Sequence, residues 1–418
     1  MSEKYYEYSS VFTRVGRSPA VLRQPIEKSD RSDIGILLMH SDQDYLDFTP
    51  GTELAKRGYT TLAANPYGGT LENKLRGAGD GVKLLRSLPG INKVIILGHS
   101  GGATLMSAYQ SVAENGVKVF QGDEMFYKLP DIGEQPAADG VMLLDSNWGN
   151  GTMTLLSLDP AVVDETNGYC IDPELDLFNP ANGFDPEGST YSDEFIAKFQ
   201  KAQGERMNRL IMKAVKRLEA VQAGRGLFAD DEPFLVPAGN QMVPNNRLFP
   251  QDIRLLSHTK NEHLLLHKDG VQSTEIVRSL RLPRGGHPVT DRYNMAITTS
   301  LKVFLSNSIL WTNGFHYDDT SLYGADFSRS WCCTPGNMTH VSAPLLVMGM
   351  TGGYESMAAE MIWEAAPSTD KTLAYVEGAT HNFYPNKEAE KFPGQFGDTI
   401  KTMCDYIDTW LFTERFGK

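Results

Sequence analysis

The stretch from Lys93 to Tyr109, KVIILGHSGGATLMSAY, restricts the fold of this chain more than any other. Val94, Ile95, Ile96 and Leu97 form a continuous, partly β-branched apolar run, the pattern of a mid-sheet strand covered on both faces. The run ends in Gly98-His99-Ser100-Gly101-Gly102 and passes at once into Ala103, Leu105, Met106 and Ala108, spaced as on a packed helix. A strand that turns this sharply into a helix holds its corner residue in strained backbone geometry. It also needs small neighbours so that helix and strand can approach. Gly98 and Gly102 meet that need. The corner lifts the Ser100 hydroxyl clear of the sheet, with the helix N-terminus and the Gly101 amide aimed at any negative charge developing beside it. A bare G-x-S-x-G is common by chance; a buried strand before it and a helix after it supply the context the motif requires.

The same rhythm repeats on both sides. Residues 1–30 carry short β-rich runs split by Gly16 and Pro19, which predict an edge hairpin. Ile34 to His40 reads as a buried strand that opens into the polar turn Ser41-Asp42-Gln43-Asp44. A helix over 51–56, a strand over 59–64 and a helix carrying Leu75, Ala78, Val82 and Leu85 then lead to the corner strand, and another strand covers 140–145. Near the C-terminus come a strand over 343–349, a helix over 355–365 and a strand over 373–376. The loop from Glu377 to Pro385 and a final helix with Ile400, Met403, Ile407 and Trp410 on one face follow. Strands alternating with helices at these lengths predict an α/β architecture, a mostly parallel central sheet with helices on both faces.

Between 147 and 340 the rhythm stops. A long amphipathic helix is predicted over 192–221, with Ser192 as N-cap and Phe195, Phe199, Leu210 and Leu218 on its stripe, amid loop-rich aromatic stretches. An unstructured loop of this length is out of place in a compact domain, so 147–340 is expected to form a cap between the core segments 1–146 and 341–418.

Composition narrows the partners. The 418 residues carry a formal net charge of −13, which disfavours nucleic acid and anionic membranes. The N-terminus lacks a basic and then apolar leader pattern, and no run approaches the length of a membrane span, so a cytoplasmic location is expected. Cys170, Cys332, Cys333 and Cys404 show no metal-ligand spacing and read as free thiols in a reducing compartment. Asn150 and Asn337 head glycosylation sequons that are expected to go unused. The partner expected is a small-molecule substrate; the amphipathic helix would also serve a homodimer if its stripe were exposed.

The segment from Gly98 to Gly102 resembles the nucleophile elbow of the α/β-hydrolase superfamily, and Ser100 is then its nucleophile. A serine hydroxyl needs a base to take its proton and a third group to orient that base. The resemblance implies that the base is His381, on the loop after the last core strand. The superfamily usually carries its acid at about the position held here by Gly353, which cannot serve. Two carboxylates are open as substitutes: Asp145, at the end of the strand after the elbow helix, and Glu355. The resemblance also implies an oxyanion hole made by the amide of Gly101 and an amide from the turn after the His40 strand, from Ser41 or Asp42. It implies no metal and no organic cofactor.

Trp311, His316, Tyr317 and Trp331 are candidate pocket residues in the cap and suggest a bulky, largely apolar substrate. His99 reads as a packing residue, and Cys332 and Cys333 lack the elbow context of a nucleophile. The basic run from Arg278 to Arg284 reads as solvated surface, or as a source of one arginine for a substrate carboxylate. The expected activity is hydrolysis of a carboxylic ester, lactone or related acyl bond through an acyl-enzyme. Acyl transfer or carbon–carbon cleavage with the same triad, and a non-catalytic receptor on the same fold, are the alternatives.

Overall fold

The computed structural model describes residues 5–239, 247–283 and 296–417. The chain opens with a hairpin of β1 (Tyr8–Val15) and β2 (Ser18–Pro25), followed by β3 (Ile34–Leu38), α1 (Thr49–Lys56), β4 (Thr60–Ala64) and α2 (Leu71–Ser87). The corner element is β5 (Lys93–His99) and α3 (Gly102–Asn115), after which β6 (Gly140–Leu144) completes the first half of the sheet.

The inserted region starts with α4 (Asn150–Ser157) and the long α5 (Asp193–Ala220), whose N-cap Ser192 accepts from the Phe195 amide. It continues through β7 (Pro233–Pro237), α6 (Leu248–Gln251), β8 (His258–Leu266), β9 (Gln272–Arg278), β10 (Ala296–Ser300) and α7 (Leu301–Asn307). The hairpin β11 (Trp311–Tyr317) and β12 (Leu322–Asp326) and the short α8 (Thr334–Met338) close it. The core resumes with β13 (Leu345–Met350), α9 (Ala358–Ala365), β14 (Lys371–Val376) and α10 (Thr399–Leu411).

Ten strands form the main sheet in the order β1-β2-β4-β3-β5-β6-β13-β14-β8-β9. From β4 to β8 every neighbouring pair is parallel, and antiparallel hairpins close both edges. Every residue of β3, β6 and β13 is buried, as strands covered on both faces must be. Their side chains alternate between two cores. Ile36, Leu38, Ile95, Leu97, Met142 and Leu144 meet Met403, Ile407 and Trp410 of α10 on one face. On the other, Leu37, Ile96, Val141 and Leu143 share a core with Leu75 and Val82 of α2, Leu105 of α3 and Ile362 of α9. That second core runs on without a break into the insertion, where Phe199, Met207, Leu210, Ile211 and Leu218 of α5 are buried. The α5 stripe is therefore buried within the chain.

One expectation fails here. The segment 147–340 is not wholly a cap, because β8 pairs with β14 and β9 with β8 in the main sheet. The sequence hid this because an edge hairpin keeps one face in solvent: β9 has no long apolar run, and β8 has only Leu264-Leu265-Leu266 at its end after a polar start. Its turn was the available signal: Asp269 and Gly270 take positive φ (58° and 75°), the conformation that Asp-Gly favours between strands. The hairpin is docked by Glu360 of α9, which accepts from the Lys260 and Asn261 amides (2.8 and 2.9 Å) and from His263 Nε2 (2.8 Å). Burial works against that charge, yet the hydrogen bonds hold the Glu360 carboxyl down at about 2.

Candidate active site

The site is assembled from consecutive strand ends along the carboxyl edge of the parallel sheet, the place where open α/β sheets bind ligands. β3 leads to Ser41, β5 to Ser100, β6 to Asp145, β13 to Glu355 and β14 to His381.

Ser100 has φ 54°, the left-handed strained corner that the sequence demanded. The crowding around it explains the flanking glycines. A Cβ on Gly98 would lie 2.6 Å from the Gly102 carbonyl oxygen, and one on Gly102 would lie 2.4 Å from that of Met39. The elbow is thus wedged against the end of β3. A Cβ on Gly101 would fall 2.8 Å from Ser41 Oγ, which places the Gly101 corner directly beside the Ser41 turn. Asn150 braces both, donating from Nδ2 to Ser41 Oγ (3.3 Å). Asp42 does not fit the oxyanion role. Its amide (3.1 Å) and its carboxylate (2.8 Å) both approach Nδ1 of His40, which can accept from the one or donate to the other but not both, and either contact turns Asp42 toward His40.

Asp145 is completely buried and also takes a positive φ, 39°. Its Oδ1 accepts from the Met350 amide (2.8 Å), which ties the end of β6 to β13. Its Oδ2 lies 2.7 Å from His381 Nδ1. Glu355 is nearly buried and stands farther off, its Oε2 at 3.9 Å from the same nitrogen. Of the two carboxylates left open by the sequence, Asp145 makes the hydrogen bond and Glu355 adds a second negative charge. Burial opposes a charged imidazole at His381, but Glu355 and then Asp145 outweigh it and raise its pKa. Burial pushes the Asp145 carboxyl up, against the pull of His381.

His99 packs against His381, ring centroids 4.4 Å apart and planes tilted by 32°. Its Nε2 lies 2.8 Å from the His381 carbonyl oxygen, which can only accept, so that nitrogen carries the hydrogen. Nδ1 then accepts from the Tyr45 hydroxyl at 2.5 Å. Burial and the neighbouring His381 drive the His99 pKa well below the usual imidazole value, which keeps it neutral. His99 is a packing residue that also anchors the backbone of His381, and Tyr45 fixes its tautomer.

Ser100, Gly101, Glu355 and His381 line one cavity of about 490 Å³, together with Asn147, Asn150, Met153, Arg247 and Tyr354. Most of its lining side chains are polar, while its surface divides about evenly between polar and apolar atoms. None of the four aromatic candidates reaches it. Tyr317 and Trp331 are buried inside the insertion, Trp331 donating to the Tyr127 carbonyl (3.2 Å). Trp311 packs on Phe126, and the exposed His316 stacks on Tyr323. These rings are the insertion's own core and its outer face. Cys332 and Cys333 are buried beside the Ile309 carbonyl, away from the cavity. Asn150 and Asn337 are buried too, which suits neither to glycosylation.

The basic run is not surface throughout. Arg281 is buried and donates to the carbonyls of Leu256 (2.6 Å), Phe249 (3.3 Å) and Leu255, while Arg278 is exposed and Arg284 lies outside the described residues. Sequence reasoning missed Tyr45, Asn150, Arg247 and Tyr354. Position relative to a strand end was an available signal for Asn150 and Tyr354; Arg247, at the head of α6 inside the insertion, had none.

The strand order, with the strained serine corner and the His381–Asp145 contact at the strand ends, defines the α/β-hydrolase fold. No family model matches the chain, and no curated protein matches it by sequence. Among solved structures it is similar to a hypothetical protein from Pseudomonas aeruginosa (12% identity, 98% of this chain and 94% of that one, TM-score 0.41). It is also similar to esterase B from Lactobacillus rhamnosis (10% identity, 98% and 86%, TM-score 0.39). A dienelactone hydrolase from Anabaena variabilis gives 10% identity, 97% of each chain and a TM-score of 0.38. The fold assignment rests on the topology and the elbow of this chain itself. Among the described residues no helix is long and apolar enough to cross a membrane.

Proposed function

We infer that the protein is a serine hydrolase that cleaves a carboxylic ester, lactone or related acyl bond through an acyl-enzyme. The observation that carries this reading is the 2.7 Å contact between His381 Nδ1 and Asp145, beside a serine held at φ 54° on the same cavity. With Nδ1–H committed to Asp145, Nε2 is the nitrogen left to take the Ser100 proton as its oxygen attacks the acyl carbon. The amides of Gly101 and Ser41 receive the charge that develops on the carbonyl oxygen. His381 then returns the proton to the leaving group, and water repeats the sequence on the acyl-enzyme. Asp145 stays ionised and holds the imidazole in the useful tautomer.

No step of this scheme calls for a metal or an organic cofactor. Asp145, Glu355 and His381 present ligand atoms within 4.8 Å of one another, but this is the triad's own acid and base with a neighbouring charge. A non-catalytic receptor would follow from the absence of an acid at Gly353; the Asp145 carboxylate, 2.7 Å from His381 Nδ1, favours the hydrolase instead. A cytoplasmic location belongs to the same proposal, supported by four free thiols.

The test is covalent labelling with a fluorophosphonate. The wild type should be modified at Ser100, and Ser100→Ala and His381→Ala should stay silent. A folded wild type that refuses the probe would favour a receptor. Labelling without ester or lactone turnover would turn the search to acyl transfer or carbon–carbon cleavage.

A further inference from the structure

A second hollow, a groove of about 480 Å³, adjoins the catalytic cavity and takes no part in the scheme above. The two share Asp44, Tyr45 and Asn382, so the groove begins where the cavity ends. Its lining comes from the segment 44–49 that leads into α1 and from the turn that carries His381. The insertion contributes nothing to it among the described residues.

The rings of the groove are fixed by the same contacts that fix the catalytic base. Phe48 packs on Tyr45 with ring centroids 4.2 Å apart, and the Tyr45 hydroxyl sits on His99. Beyond His381 the turn is closed: the Phe383 amide donates to the Thr380 carbonyl (2.8 Å) and the Thr380 amide to the Tyr384 carbonyl (2.7 Å). Phe383 takes φ 71° and is buried, while its neighbours Asn382 and Tyr384 are exposed, Tyr384 by 56%. One rigid turn thus places His381 at the serine and Tyr384 on the groove. The carboxylates there can only accept. Asp47 is almost fully exposed, with Arg23 3.5 Å away, and Asp44 takes the Leu46 amide (3.0 Å) and Asn65 Nδ2 (2.9 Å) on Oδ1.

When an acyl group passes to Ser100, the released alcohol takes its proton from His381, so the alcohol part of the substrate lies beside that residue. Asn382 opens the groove at that point. We propose that the groove is the leaving-group subsite, and that the alcohol released is a hydroxylated ring of monosaccharide size, its C–H face on Tyr384 and its hydroxyls donating to Asp44 and Asp47. The inference rests on the hydrolase reading above. An ammonium group would also donate to the carboxylates, but Thr49 and Asn382 on the same wall both give and accept hydrogen bonds, as hydroxyls do and an ammonium does not.

The experiment compares kcat/KM for esters that share one acyl group, the one turned over fastest in a 4-nitrophenyl ester panel. The alcohols are methyl glucoside esterified at its primary hydroxyl, cyclohexylmethanol with a ring and no further hydroxyls, ethanol with neither, and choline. The glucoside ester should lead, exceeding the ethyl ester by roughly tenfold, the scale of one or two hydrogen bonds and an apolar contact. Tyr384→Ala should bring both ring esters toward the ethyl ester, and Asp47→Ala should narrow the gap between the glucoside and cyclohexylmethyl esters. Equal values across the series, or ratios that neither variant moves, would overturn the subsite. A cyclohexylmethyl or choline ester that matches or outruns the glucoside ester would overturn the hydroxylated class.

Fluorophosphonate labelling of Ser100 separates this inference from the one beneath it. A folded chain that does not label, or that labels and turns over no 4-nitrophenyl ester, strikes the hydrolase reading itself. Labelling and nitrophenyl ester turnover without alcohol preference strike only the groove.

Discussion

The strand ends and the insertion bury the same kinds of residue for opposite purposes. At the strand ends, polar groups are buried with named partners: Asp145 on His381 and the Met350 amide, His99 on Tyr45 and the His381 carbonyl. In the insertion the buried mass is aromatic, with Phe199, Phe249, Tyr317 and Trp331 packed into one core. The first region is built for position, since a carboxylate moved by an ångström loses its hydrogen bond. The second is built for volume, since a ring there is valued for the space it fills. Aromatic content therefore says little about the ligand here. The polar minority decides what the cavity can hold.

The largest effect that separates the regions should come from Asp145→Asn. Losing the tautomer of His381 costs about 10⁴-fold in kcat in comparable triads, with melting changed far less. Steady-state kinetics beside a thermal melt checks this, and a loss larger for Glu355→Gln than for Asp145→Asn would reverse the assignment. In the insertion the balance should invert. Trp331→Ala, at 1% exposure, should cost about 3–5 kcal/mol in denaturant unfolding while kcat per labelled site changes by less than about threefold. A collapse of kcat without lost stability would show that the aromatic core touches the substrate after all.

Glu360→Gln tests a polar contact that serves structure rather than chemistry. It should lower stability by about 1–3 kcal/mol near neutrality, read by denaturant unfolding. Because this carboxyl is held below its unfolded value, its stabilisation is complete above the usual carboxylate range and fades as pH falls toward about 2. The wild type and the variant should therefore converge in acid.

The smallest effect is on the pH profile. His381 must be neutral to accept the serine proton, and nearby carboxylates raise its pKa. The acid limb of kcat/KM should lie above the ordinary imidazole value of about 6.5. Removing one of those charges in Glu355→Gln should move the limb toward lower pH by about one unit. A limb that does not move would mean that Glu355 is screened from the imidazole.

This contrast also explains what was legible in the sequence. Ser100, His381 and Asp145 could be located because each is tied to a backbone event, the end of a buried strand, and such strands announce themselves through runs like Ile95-Ile96-Leu97. Choosing between Asp145 and Glu355 required a difference between 2.7 and 3.9 Å, which no spacing encodes. The four aromatic candidates failed because a ring's facing is set by tertiary packing, and hydrophobic pattern alone cannot tell a wall from a core. Arg247 was invisible for the converse reason. A lone arginine beside Asn246 and Leu248 looks like any surface residue until the chain folds it inward.

The β8–β9 hairpin has one more consequence. The chain leaves the sheet after β6, returns to it at β8, leaves again after β9 and returns at β13. A lid joined by a single neck can tip open as a unit or be cut away by genetic deletion. This one is stitched to the sheet at its middle as well as at its ends. Excising 147–340 would strip β14 of its neighbour and expose a bare parallel edge. Any shortened version of the protein must therefore keep the hairpin.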